Sequence, residues 1–198
     1  MEELTYTPKN VVAIAGVETI RNKEGKVLKY SDTFLDNMLT WKHEHPKDNI
    51  VILDARKYIK CENPIEAIWQ DVVKSFEQLD ELIYAGHSST ESLICFSHVR
   101  LDLNLEQRYF RSNFHYNVPW SKDASFSIFG CQAGGMNKKK MLDSIAQIIS
   151  NKIERTVYAF VSKSYQKEDP KGHYRQVSDD KIGLVKFTPI KKISEVSA

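Results

Sequence analysis

Short apolar runs alternate with stretches of helical spacing along most of this chain. Residues 11–15 (VVAIA) are apolar throughout and stop at Gly16, the pattern of a strand buried on both faces. Between Ile20 and Leu28, the polar turn Asn22-Lys23-Glu24-Gly25 parts two β-capable pieces and predicts a small hairpin. Ser31 or Asp32 stands ready to cap a helix carrying Phe34, Leu35, Met38, Leu39 and Trp41, and Pro46 ends it. Residues 49–55 (NIVILDA) read as a second buried strand. Asn63-Pro64 then opens a helix with Ile65, Ile68, Trp69, Val72, Phe76 and Leu79 on one face.

The second half continues the alternation. Residues 81–86 (ELIYAG) are a strand and 92–96 (SLICF) a short extra one. Residues 100–123 are aromatic without a clean period and read as an irregular excursion. A strand at 125–130 (SFSIFG) is followed by a helix capped at Asn137 that carries Met141, Leu142, Ile145, Ile148, Ile149 and Ile153. A strand at 156–161 (TVYAFV), a polar loop at 166–181 and a last strand at 182–188 complete the chain. This order predicts an α/β fold: a doubly wound, mostly parallel sheet of about six strands with helices on both faces, in a single domain spanning residues 1–198.

Composition narrows the function classes. With 28 basic and 26 acidic residues the net charge is +2, which gives no strong field for nucleic acid or an anionic membrane surface. Hydrophobic residues at 41% and charged ones at 27% are ordinary for a folded protein. No apolar run approaches the roughly 20 residues of a membrane helix. The start, Met-Glu-Glu-Leu-Thr-Tyr, lacks a secretory pattern, so a cytoplasmic protein is expected. The cysteines, Cys61, Cys95 and Cys131, are odd in number and form no C-x-x-C pair. That argues against a disulfide framework or a zinc knuckle and for free thiols in a reducing compartment.

In such sheets, sites lie outside the carboxyl ends of the strands. The rule singles out the loops after Ala15, Ala55, Gly86 and Gly130. Two of them carry chemistry: Gly86-His87-Ser88-Ser89-Thr90 and Gly130-Cys131-Gln132-Ala133-Gly134-Gly135. If the two strands are neighbours, His87 faces Cys131. A free thiol is a poor nucleophile at neutral pH until an imidazole takes its proton. Glycines 130, 134 and 135 let backbone N–H groups turn toward an oxyanion, and the following helix adds a positive dipole end. Lys138, Lys139 and Lys140 in its first turn are either a further positive field or a solvated surface.

The two segments LIYAGHSSTESL and SFSIFGCQAGG resemble the caspase–legumain–gingipain clan of cysteine peptidases, and within it the bacterial branch that includes CHAT-type domains. In that clan one hydrophobic strand ends in the catalytic His and the next core strand in the catalytic Cys. His87 and Cys131 match those positions, and Gly130, the helix and the strand TVYAFV match what surrounds them. Ser88 stands where the clan usually has Gly. The resemblance spans residues 10–162, its specific part being the two short motifs. It implies a caspase-like fold and hydrolysis of a polypeptide substrate, with Cys131 as nucleophile and His87 as base and acid. The N–H groups of Ser88 and Cys131 would be the oxyanion donors. It implies no cofactor, no metal and no third residue to hold the histidine. Activity would be gated by an activating protein partner or by a cut in the excursion at 100–123. Asp54, Gly86, Gly130 and Gln132, all at strand ends, are candidate substrate contacts.

Two other readings stand beside it. Gly86-His87-Ser88-Ser89-Thr90 also resembles a lipase-type nucleophile elbow, with Ser88 as nucleophile, Asp123 or Asp169 as acid and His173 as base. Thr90 stands where the elbow wants Gly, and this reading leaves the cysteine loop unexplained. The same fold could also serve as a catalytically silent interaction module. Of the weaker signals, His43 and His45 do not share a helix face and suit a polar helix end better than a metal site. Asp54 either caps a turn, orients His87 or meets a basic substrate group. Cys95 reads as core, His98 as surface and Cys61 as plain loop. Tyr109, Phe110, Phe114, Tyr116 and Trp120 are a substrate wall or packing under a long loop.

Overall fold

The computed structural model describes residues 6–97, 109–110, 117–135, 144–168, 174–178 and 183–190. Its centre is a six-stranded sheet. Five strands are parallel: β1 (Asn10–Ala15), β4 (Asn49–Asp54), β5 (Leu79–Ala85), β10 (Trp120–Phe129) and β11 (Thr156–Ala159). The sixth, β14 (Val185–Phe187), runs antiparallel beside β11 at the edge. The spatial order is β14-β11-β10-β5-β1-β4. The expected doubly wound, mostly parallel α/β sheet is therefore the fold, and it is compatible with a caspase-like architecture.

Among the described residues, three helices cover the sheet. Helix α1 (Thr33–Glu44) lies on one face, where Phe34 and Met38 pack against Val11, Ala13, Ala15, Ile83 and Ala85. Helices α2 (Pro64–Ser75) and α3 (Ile145–Ile153) lie on the other, with Ile68, Trp69, Ile145 and Ile149 against Val12, Ile14, Leu82, Tyr84, Phe126 and Val157. Odd residues of β1 face one core and even residues the other, as the two-residue period of a strand requires. This is why the strands read as unbroken apolar runs in the sequence. Pro64 at the first turn of α2 follows the expected signal at Asn63.

The smaller elements decorate the carboxyl edge. Strands β2 (Val17–Arg21) and β3 (Val27–Tyr30) form the expected hairpin, and β2 also pairs with β8 (Phe96–Ser97). Strand β6 (His87–Ser88) pairs with β7 (Leu93–Ile94), which pairs with β9 (Tyr109–Phe110).

Several expectations change: Phe76 and Leu79 lie beyond the end of α2, with Leu79 opening β5, and β10 begins at Trp120 inside the stretch read as irregular. Part of the polar stretch 166–181 is not loop: β12 (Ser164–Glu168) and β13 (Tyr174–Ser178) form an antiparallel hairpin whose second strand runs beside α1. The last described helix starts at Ile145 and is capped by Ser144, whose hydroxyl accepts from Gln147 N–H. Asn137, Met141, Leu142 and the lysines at 138–140 lie outside the described residues, as do His98, Phe114, Tyr116, Asp169, His173 and most of the excursion at 100–123. Among the described residues, no helix is long and apolar enough to cross a membrane.

Candidate functional site

In chain order the five parallel strands lie 2-1-3-4-5 across the sheet, so the chain turns in opposite directions on leaving β1 and β5. The carboxyl ends of those two strands are a topological switch point, the usual crevice of such folds. Strand β10 is the other neighbour of β5. Whatever follows β10, β5 and β1 therefore stands in a row along one edge.

The register makes this row specific. The last residues paired between β5 and β10 are Ala85 and Phe129. Two positions further on each chain stand His87 and Cys131. Gly86 N–H still donates to Phe129 O at 3.3 Å, so the two chains leave the sheet together. Glu18 follows the end of β1 on the opposite side of β5. The order along the edge is thus Cys131, His87, Glu18.

His87 is held from several sides. Its Nε2 lies 3.1 Å from Glu18 Oε2, off the line of a good hydrogen bond, and that atom is shut off from solvent. Phe34 of α1 meets the imidazole edge-on, with centroids 5.1 Å apart and planes at 86°. The buried Tyr84 hydroxyl donates to His87 O at 2.9 Å. Glu18 is itself fixed by backbone: its carbonyl accepts from Ser31 N–H, and it pairs with Ser97 of β8.

Cys131 is half-buried at the start of a tight turn. Its Sγ–H donates to Ser164 O at 3.1 Å, at the head of the β12–β13 hairpin, and accepts from Ser164 Oγ at 3.5 Å. Its carbonyl accepts from Ser88 Oγ at 2.6 Å. His87 and Cys131 make no hydrogen bond to each other in this arrangement. Gly130 is required where it stands: a Cβ there would come 2.4 Å from Ser88 Oγ and 2.9 Å from Gly86 O. Gln132 takes a left-handed backbone, φ 57°, an uncommon conformation for a residue with a side chain.

The oxyanion donors sort themselves by what is already bonded. The N–H groups of Gln132, Gly134 and Gly135 donate to Ser162 O, Phe160 O and Gln132 O, which removes the glycine-rich turn as a donor set. The first N–H groups of α3 donate to Thr90 O and Ala133 O, so the helix end is occupied too. Among the described residues, no acceptor stands against Cys131 N–H. The Ser89 N–H to Ser92 O bond sets the phase of the β6–β7 hairpin. It puts Ser88 at a non-hydrogen-bonded position, its N–H turned away from β7.

The remaining sequence candidates have other duties. Asp54 caps the 3-10 turn at Ala55–Tyr58 by accepting from Arg56 N–H. Its carboxylate also takes the Arg56 guanidinium, with contacts of 2.8–2.9 Å, and Arg56 reaches on to Asp32. His45 bonds Trp41 O through Nδ1 at 2.8 Å and stacks on its ring. No group of three or more metal-ligating side chains occurs among the described residues. Cys95 is fully buried, and burial pushes its thiol well above the usual range.

Sequence reasoning missed Glu18 and Ser164. The loop after Ala15 was marked as a strand end, but a carboxylate three residues on carries no motif. Ser164 comes into place through the polar hairpin. No protein-family model matches the chain, and no curated protein does.

Proposed function

We propose that the chain is a cysteine peptidase of caspase-like fold, hydrolysing peptide bonds with Cys131 and His87. The observation that carries this reading is the register of β5 and β10, which sets His87 and Cys131 equally far beyond their last paired residues on adjacent strands. A nucleophile and a base must come within reach of one scissile carbonyl, and apo sites often hold them looser than the working complex does.

The reaction would run in two steps. His87 takes the Cys131 proton, and sulfur attacks the carbonyl carbon. The carbonyl electron pair moves to oxygen, where the N–H groups of Cys131 and Ser88 receive it. The tetrahedral centre collapses, the C–N bond breaks, and the amine leaves with the proton from His87. Water, deprotonated by His87, then releases the acid and restores the thiol. Gly86, Gly130 and Gln132 flank the two reacting residues along the chain. No cofactor enters any step.

The Cys131 bond to Ser164 O is the contact that an activating protein partner would have to break. In this reading the protein works in the cytoplasm of a bacterium, where its free cysteines stay reduced.

A second reading, a catalytically silent interaction module, is favoured by one fact: His87 and Cys131 are each engaged elsewhere. The serine-hydrolase reading has less support, since Ser88 Oγ is spent on Cys131 O. Incubation with a proteome-derived peptide library, read by mass spectrometry, decides among them. Internal cuts that vanish in Cys131→Ala and persist in Ser88→Ala are expected. No cuts, or cuts that persist in Cys131→Ala, would overturn the peptidase reading.

A further inference from the structure

We infer that Glu18 is a positioning residue, which fixes His87 as the Nε2–H tautomer and leaves Nδ1 to serve the thiol. The inference rests on the peptidase reading for its purpose, though not for its geometry. Three observations carry it: the row Cys131, His87, Glu18 set by the strand order, the 3.1 Å contact, and the burial of His87 Nε2.

A neutral imidazole carries its proton on one nitrogen and a lone pair on the other. A lone pair on Nε2 would face a carboxylate oxygen at 3.1 Å, two negative ends in contact. A proton there turns the same contact attractive. Nε2 is also closed to water, and Glu18 Oε2 at 3.1 Å is an acceptor within reach of its N–H. The present angle is poor, but the terminal torsion of histidine is broad and a modest ring rotation aligns it. The two ring nitrogens point to nearly opposite sides. With Nε2 held by Glu18 on the β1 side, Nδ1 is the nitrogen left to serve Cys131, which follows β10 on the other side of β5.

The neighbours suit this role. Phe34 is uncharged and packs edge-on against the ring without offering a competing carboxylate or carbonyl. The Tyr84 hydroxyl donates to the His87 carbonyl. Glu18 sits on a strand anchored by Ser31 and β8, so its carboxylate starts from a fixed point. The β2–β3 hairpin thereby gains a purpose beyond covering the sheet edge.

The test reads the tautomer directly, by long-range proton–nitrogen correlation of the histidine rings in 15N-labelled protein at pH 8.5. The His87 signals are assigned by their loss in His87→Ala. Wild type is expected to show the Nε2–H tautomer. Glu18→Ala should become a mixture, and Glu18→Gln should restore Nε2–H, because the amide oxygen still accepts. In parallel, Cys131 alkylation by iodoacetamide should slow on the order of tenfold in Glu18→Ala and recover in Glu18→Gln, by analogy with the loss in metal sites when a partner that orients a ligating histidine is removed. An unchanged His87 tautomer in Glu18→Ala overturns the inference, whatever Cys131 does. A tautomer that shifts while wild-type Cys131 behaves as an ordinary thiol keeps the hold of Glu18 on His87 and overturns the peptidase reading instead.

Discussion

Ser88 Oγ donates to the carbonyl of Cys131 across a 2.6 Å bond, tying the end of β6 to the first residue of the turn after β10. This bond accounts for a serine beside the histidine. The side chain fills the space that Gly130 leaves open, and the two residues hold the loops at a fixed separation.

Ser88→Ala should therefore cost stability before it costs chemistry. Loss of one half-buried hydrogen bond predicts a decrease of about 1 kcal/mol in urea unfolding. Alkylation of Cys131 should continue at a similar rate. A fluorophosphonate adduct on Ser88 in the wild type would instead mark the serine as the nucleophile.

Gly130→Ala should be worse. The added methyl meets Ser88 Oγ, Ser88 Cβ at 2.9 Å and the Gly86 carbonyl, and the last of these is backbone that cannot step aside. A loss of roughly 1–3 kcal/mol is expected. The double variant Ser88→Gly, Gly130→Ala should recover part of it, since only the Gly86 clash remains. Full recovery would place the strain on the side chain alone.

The core predicts an alkaline weakness. Burial pushes the Cys95 thiol and the Tyr84 hydroxyl up, and burial with the Asp71 hydrogen bond pushes Tyr58 up. Each group stays protonated when folded but ionises in the unfolded chain, near pH 8.5 for cysteine and 10 for tyrosine. Above those values the unfolded state binds fewer protons, so stability falls as pH rises, by about 1.4 kcal/mol per unit and group. The unfolding free energies from urea titration at pH 7.5 and pH 9.5 should differ with this sign, the value at pH 9.5 being lower. Cys95→Ala should shrink the difference between them by about 1.4 kcal/mol, whatever its cavity costs at both pH values.

Much of this was readable from pattern. The apolar runs at β1, β4 and β5 are buried on both faces and leave no competing period. The strand-end rule singled out His87 and Cys131, and the register does set both beyond the ends of adjacent strands. The hairpin β12–β13 escaped because its exposed positions Tyr165 and Lys167 carry no apolar alternation. Its order comes from cross-strand backbone pairing, which leaves no mark on composition. The cap at Ser144 was missed because the apolar spacing begins earlier, at Met141 and Leu142, and runs through it. Glu18 was invisible for a different reason. Its partner lies 69 positions away and meets it only because β1 and β5 are neighbours.

The most direct test of the site is peptide-resolved alkylation of Cys61, Cys95 and Cys131 by iodoacetamide at pH 7, in wild type and in His87→Ala. Cys61 is half-buried like Cys131 and serves as the internal standard, while the fully buried Cys95 should stay unmodified. A base acting on the thiol predicts that Cys131 outpaces Cys61 by at least roughly tenfold and that His87→Ala abolishes the difference. Equal rates for Cys61 and Cys131, or a fast Cys131 indifferent to His87, would contradict the paired site.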